Sequence, residues 1–263
     1  CDVMGGHEHG EVASQTVAQT IGTFITDRLG ADEVLSDELL NEAIAEAYNQ
    51  LDAKDNPDDQ RKMGTTLTLL CLHRGGCTMA HIGDSRIYHL RPSEHRILYQ
   101  SRDHSLVMDL YLSGELSWAQ MATYKGKNVI TRAMQPALER RFKADIVHST
   151  DIQAGDLFLL CSDGVTEHLA DSQLLDILCA DFPDDERLRQ LRDATASAAD
   201  NHSAYLIYIQ AVESETTDAD APNDAATSRV NLINILRIRD EETEMPDCRK
   251  PSFLNRIWSL FSH

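Results

Sequence analysis

Blocks of helical spacing and blocks of strand spacing follow one another along this chain, and that order constrains the fold more than any single residue does. Residues 11–29 and 35–53 carry apolar side chains at helical intervals, and Ser36 or Asp37 is placed to cap the second helix. The runs TTLTLLCL, CTMAHIG, RIYHL and RILYQ come next. They are short, rich in β-branched and apolar residues and separated by Gly or Pro turns, which predicts an antiparallel meander. Residues 105–124 return to helical spacing, and RFKADIVH, DLFLLCS and SAYLIYIQ predict further strands, interrupted by helical stretches at 171–181 and 185–199. Helices alternating with runs of antiparallel strands predict the α+β class, in layers of helix and sheet.

A chain of 263 residues accommodates one large domain or a domain with an extension. At this size roughly three quarters of the unfolded surface is buried. Its 43 acidic and 24 basic residues, a net charge of −19, argue against a nucleic-acid backbone as the main partner. The six cysteines, at positions 1, 71, 77, 161, 179 and 248, form no CxxC pair, and Cys71 and Cys161 lie inside apolar runs. They read as small buried hydrophobes in a reducing compartment, hence a cytoplasmic protein. No apolar stretch reaches the ~18 residues a membrane span needs. Composition divides the chain at 1–211, a domain; 212–228, an acidic flexible linker that from Glu213 onward has no base and no large apolar residue; and 229–263, an extension. Within the extension, RVNLINILRIR fits an edge strand or a short helix. PSFLNRIWSLFSH places Phe253, Leu254, Ile257, Trp258 and Phe261 on one face of an amphipathic helix.

Four aspartates stand at predicted strand ends or tight turns: Asp2 before Gly5 and Gly6, Asp84 in HIGDSRIY, Asp163 in LLCSDGVTEHL and Asp200 in AADNHSAYLIYI. The paired glycines let the backbone after Asp2 bend sharply, and a carboxylate beside exposed carbonyls suits a hard cation such as Mg²⁺ or Mn²⁺. A two-metal hydrolase needs such aspartates from separated segments, to clamp ions about 3.5–4 Å apart while leaving waters for attack. Taken singly, an aspartate of this kind is more often an ordinary turn residue.

In this order, DVMGGHEHGEVAS, MGTTLTLL, AHIGDSRIYHLR, SRDHSLV, NVITRAM, GDLFLLCSDGVTEHL and DNHSAYLIYI resemble the successive motifs of the bacterial metal-dependent serine/threonine protein phosphatases of type 2C, over residues 1 to about 210. The resemblance implies a β-sandwich of two antiparallel sheets flanked by helices, in four layers αββα. It also implies a dinuclear Mg²⁺ or Mn²⁺ centre at one end of the sandwich. By position, Asp2 resembles the bridging aspartate, the Val3 carbonyl a backbone ligand, Asp163 and Asp200 the remaining ligands, and Asp84 the aspartate of a third, weaker metal. The implied chemistry is attack of metal-bound water or hydroxide on phosphoserine or phosphothreonine without a phospho-enzyme. Phosphorylated proteins, among them a serine/threonine kinase or its targets, are the implied partners.

Some positions depart from the family's pattern. Val3 and Gln135 stand where the family commonly has glycine, which keeps open an inactive phosphatase-like module that binds or regulates. Met4 occupies the place of a histidine proposed as the acid in eukaryotic members; His7 or His9 could substitute, or be plain surface residues. Arg86 and Arg132 are candidates for a phosphate contact or for structural ion pairs, and Asp103 and His104 are expected to stabilise a turn. Trp118 falls in the segment that resembles the family's variable flap. The family's first strands would lie before Cys1, so the chain is expected to lack them. The amphipathic segment 252–263, with Arg249, Lys250 and Arg256 and no acid from 249 onward, is a candidate for docking on a membrane surface or partner groove, against the alternative of packing on its own domain.

Overall fold

Strands buried on both faces organise the molecule. In the computed structural model, which describes residues 1–3, 10–30, 33–59, 61–167, 169–196, 203–214 and, in its backbone, 228–238, the chain begins with two helices, α1 (Gly10–Arg28) and α2 (Asp37–Lys54). The Ser36 hydroxyl accepts the Leu39 N–H at 3.2 Å, so Ser36 is the N-cap of α2. Strands β1 (Leu67–His73), β2 (Gly76–Ile82), β3 (Arg86–Arg91) and β4 (Arg96–Gln100) follow. After short helices α3 (Leu106–Leu112) and α4 (Trp118–Met121) come β5 (Asp145–Ser149) and β6 (Leu157–Cys161). Helices α5 (Asp163–Thr166), α6 (Asp171–Cys179) and α7 (Asp184–Thr195) precede β7 (Ala204–Ser214) and β8 (Ser228–Ile238).

The strands form two antiparallel sheets, ordered β1-β2-β5 and β4-β3-β6-β7-β8. Alternation along each strand assigns its faces. Leu67, Ala80 and Ile82 turn outward onto Val17, Ile21, Leu40 and Ile44 of α1 and α2. Tyr88, Leu90, Leu157, Leu159 and Leu206 turn outward onto Leu174, Leu178 and Leu191 of α6 and α7. Cys77, Met79, Ile87, Phe158, Ile207 and Ile209 face inward and make the core between the sheets. The result is the αββα sandwich, with three apolar interfaces.

One expectation about strand pairing is corrected. The four early strands do not form one meander: β1–β2 and β3–β4 are hairpins in different sheets, and the chain crosses between the sheets at Gly83, Asp84 and Ser85. Of RVNLINILRIR, the residues up to Ile238 lie in β8, the edge strand of the five-stranded sheet and so the first of the two readings of this run, paired with β7 from Ala204↔Ile238 to Ser214↔Ser228. Residues 228–238 therefore belong to the five-stranded sheet, and the composition boundary at 211 falls inside β7. Of the helical stretch expected over 105–124, only α3 and α4 are regular. The segment 252–263 lies outside the described residues.

At the end of the sandwich opposite that crossing, a buried ionic network ties β3 to the start of β6. Asp156, with no exposed surface, accepts His89 Nε2 at 2.9 Å, Arg91 Nε at 2.9 Å, Arg91 Nη2 at 3.0 Å and the Gln153 N–H at 2.9 Å. Arg91 continues to Asp151 at 2.8 Å, and the His89 ring stacks on Phe158 at 4.2 Å. A buried carboxylate with this many donors is fully satisfied, which is the condition for keeping a charge out of water.

Candidate metal centre

Asp2 is held by two buried threonines. Its carbonyl accepts the Thr66 N–H at 3.0 Å and the Thr65 hydroxyl at 2.7 Å, and its own N–H donates to the Thr66 hydroxyl at 3.0 Å. Thr65 also bridges Val3 on one side and Met134 on the other, so the first residues are stitched to the interior of the domain. The Thr66 hydroxyl lies 2.8 Å from the Ser85 hydroxyl, which brings Asp2 next to the crossing that carries Asp84. Both threonines are at most 2 % exposed, and burial at that depth requires each hydroxyl to find partners.

Asp84 follows Gly83, whose φ of 110° suits glycine and disfavours other residues. A Cβ at this position would come within 2.6 Å of Thr66 Cγ2. Gly83→Ala is accordingly expected to lose about 1–3 kcal/mol, read as a melting temperature lower by several degrees. Asp163 opens α5 where β6 ends. Its neighbour Ser162 accepts the Ser203 N–H on its hydroxyl at 3.0 Å and donates its own N–H to the Ser203 carbonyl at 3.0 Å, extending the β6–β7 pairing to the sandwich end.

The electrostatics of this end are dominated by like charge. Burial first, then the charges of Asp163 and Asp103 and, more weakly, Asp2, push the Asp84 carboxyl up to about 7. A cluster that raises its own member to this degree favours a cation. Arg86 is already engaged: it grips Asp103 with Nε and Nη2, both at 2.7 Å, and donates Nη1 to the Tyr88 hydroxyl at 3.1 Å. Carboxylate and carbonyl oxygens from separate segments are donors for a hard divalent ion, so the residues present fit Mg²⁺ or Mn²⁺. Beside Arg86 lies a cleft of about 360 Å³, lined also by Gln100, Asp103, Met108, Trp118 and Asp171.

Residues 2–204 match the Protein phosphatase 2C family model. The chain belongs to the protein phosphatase 2C family. Protein phosphatase PhpP of Streptococcus pneumoniae is 32% identical over 219 residues, covering 81% of this chain and 86% of that protein. The crystal structure of serine/threonine phosphatase Stp1 from Staphylococcus aureus superposes with a TM-score of 0.67 at 27% identity, over 80% of this chain and 82% of that one. The catalytic domain of serine threonine protein phosphatase PstP, solved in complex with two manganese ions, gives a TM-score of 0.62 at 29% identity, over 78% and 83%.

Within this phosphatase 2C fold, Asp2, Asp84 and Asp163 lie close enough at one end of the sandwich for the charges of Asp163 and Asp2 to act on Asp84. Val3 sits in its extended bridge with Thr65, and neither Val3 nor Gln135 takes a positive φ. Arg86 is in an ion pair, one of the two roles weighed for it, and Arg132 Nη1 lies 3.4 Å from Asp145 Oδ1. His7 and Asp200 lie outside the described residues; Asp200 stands three positions before Ser203 in the sequence. Sequence reasoning missed the parts played by Thr65, Thr66 and Ser85, and the charge of Asp103 on Asp84. The Thr-Thr pair directly before an apolar run was a usable signal, because two hydroxyls entering a core need a reason to be there.

Proposed function

We infer that this chain is a metal-dependent protein phosphatase that hydrolyses phosphoserine and phosphothreonine. The observation that carries the reading is the gathering of Asp2, Asp84 and Asp163 at one end of the sandwich, where burial and mutual repulsion favour a cation. We assign Asp2, Asp163, Asp200 and the Val3 carbonyl to two Mg²⁺ or Mn²⁺ ions and Asp84 to a weaker third. When bound, such ions activate water and neutralise phosphate charge, which is the chemistry that phosphoester hydrolysis requires.

The chain's own residues supply the rest. Thr65 and Thr66 fix the Asp2 backbone, Gly83 sets the direction of Asp84, and the β6–β7 ladder ends so as to present Asp163. Asp103 binds Arg86, so the guanidinium steadies the rim of the cleft without neutralising Asp84. Trp118, 65% exposed and edge-on to Tyr111 at 5.6 Å, offers an apolar surface to the residues around a phosphorylated side chain. Phosphoproteins, including a serine/threonine kinase or its targets, are the substrates that fit, and the acidic surface disfavours nucleic acid. A cytoplasmic location accords with the buried thiols of Cys77 and Cys161, which burial pushes up to about 12 and so keeps unreactive.

The test is hydrolysis of a phosphothreonine peptide and of p-nitrophenyl phosphate by the whole chain with Mn²⁺ or Mg²⁺. Turnover is expected with metal, lost with excess chelator and regained when metal is restored. Turnover indifferent to chelator, or none with either ion, would overturn the reading.

A further inference from the structure

His81, His104 and Asp145 bring potential ligand atoms within 4.8 Å of one another, apart from the aspartate cluster. Hydrogen bonding shows what the group does. The Gly83 N–H donates to His104 Nδ1 at 3.0 Å, so the lone pair of that nitrogen is taken and the ring proton resides on Nε2. Nε2 has Asp145 Oδ2 at 3.3 Å and Arg132 Nη1 at 3.4 Å; the shorter Gly83 bond takes the lone pair of Nδ1, so Nε2 is a donor to Asp145 and His104 keeps no lone pair for a metal. Metal-bound imidazoles instead donate from their second nitrogen.

The same histidine also donates its backbone N–H to the Gly83 carbonyl at 2.9 Å. Gly83 is thus gripped on both its polar groups by one residue. The ring is fixed in turn: it stacks on His81 at 4.6 Å with an interplanar angle of 14°, and His81 Nε2 lies 2.8 Å from the Arg102 carbonyl. Thr131 N–H donates to the His104 carbonyl at 2.9 Å. Only 5% of His104 is exposed, and burial, with His81 next, lowers its pKa from the usual imidazole range. The Gly83 N–H holds Nδ1 as an acceptor, and the lowered pKa accords with that.

We propose that His104 is a positioning residue: its two-point clamp on Gly83 sets the inter-sheet crossing and thereby aims Asp84 into the cation site. The proposal rests on the metal-dependent reading for its consequence at Asp84, but not for the clamp itself. His104→Phe keeps the stacked ring and removes the acceptor, whereas His104→Asn restores an acceptor close to the place of Nδ1. Two measurements on the whole chain decide the matter, amide exchange at Gly83 by NMR in the metal-free protein and Mn²⁺ binding by calorimetry. In His104→Phe, Gly83 exchange is expected to quicken by at least about tenfold, since its buried N–H loses its partner, and Mn²⁺ affinity to fall by a similar factor. His104→Asn is expected to recover most of both.

Should the Phe variant fail to fold, His104→Gln, whose amide reaches the Nε2 place, carries the comparison with the same expected losses. A folded Phe or Gln variant with wild-type exchange and affinity would overturn the proposal, and so would an Asn variant as impaired as Phe. The exchange measurement needs no turnover. A wild-type chain without phosphatase activity but with this exchange pattern would sink the functional reading while supporting the clamp.

Discussion

Asp163→Asn is expected to lower turnover of p-nitrophenyl phosphate with Mn²⁺ by about 10²–10⁴-fold, because it removes a full negative charge from the proposed metal site, where cations would supply several kcal/mol of transition-state stabilisation. The fold should survive. Asp163 is the foremost of the charges that raise Asp84, so its neutralisation relieves repulsion at the sandwich end. The melting temperature of the metal-free protein is therefore expected to hold or rise while activity collapses. A drop in both would mean that Asp163 supports the structure more than the chemistry. Undiminished turnover in a folded variant would remove it from the metal centre.

Asp156→Asn should do the opposite, with little to do with metal and much with stability. The substitution keeps the shape but leaves Arg91 and His89 buried against a neutral amide. Breaking a buried pair by removing one partner costs about 3–5 kcal/mol. For a chain of this length that corresponds to a melting temperature lower by on the order of 10 °C, measured calorimetrically. The pH dependence follows from the same contacts. Burial opposes the charge of Asp156, but the bonds from His89, Arg91 and the Gln153 backbone outweigh it and hold the carboxyl at about 2, below its unfolded value of about 3.9. A depressed carboxyl contributes stability above its unfolded pKa. That contribution is expected to be complete above about pH 4 and to be lost as pH falls toward about 2, and in Asp156→Asn this part of the acid profile should flatten. An unchanged acid limb in the variant would mean that other carboxylates govern it.

The helices α1 and α2 were legible to within a residue or two, because a long amphipathic repeat and the Ser36 cap are local signals. The strands were legible as strands, yet their partners were not. Gly76–Ile82 and Arg86–Arg91 bury both faces, so neither carries the one-sided alternation that would tell which sheet it joins. The crossing between them depends on Gly83 fitting against Thr66, a contact between distant segments. At the site, Asp2, Asp84 and Asp163 stood out through their places at strand ends. Asp156 did not, since Gly155–Asp156 reads as a common turn and its partners His89 and Arg91 lie more than sixty residues away. His104 was legible as a turn residue only; which of its nitrogens accepts, and from which backbone group, is decided by tertiary structure.

Strands β3 and β6 join two ends with different tasks: the His89–Arg91–Asp156 network lies at one end, and Asp84 and Asp163 adjoin the other. From Asp156 to Cys161 the chain climbs about 17 Å at the ~3.4 Å per residue of an extended strand. Substitutions at such a separation, sharing no partner, add nearly independently. Robustness and chemistry can therefore drift or be engineered on separate schedules in this molecule. A variant library confined to the Asp151–Asp156 end could raise heat tolerance and leave the end with Asp84 and Asp163 to be tuned for a new substrate.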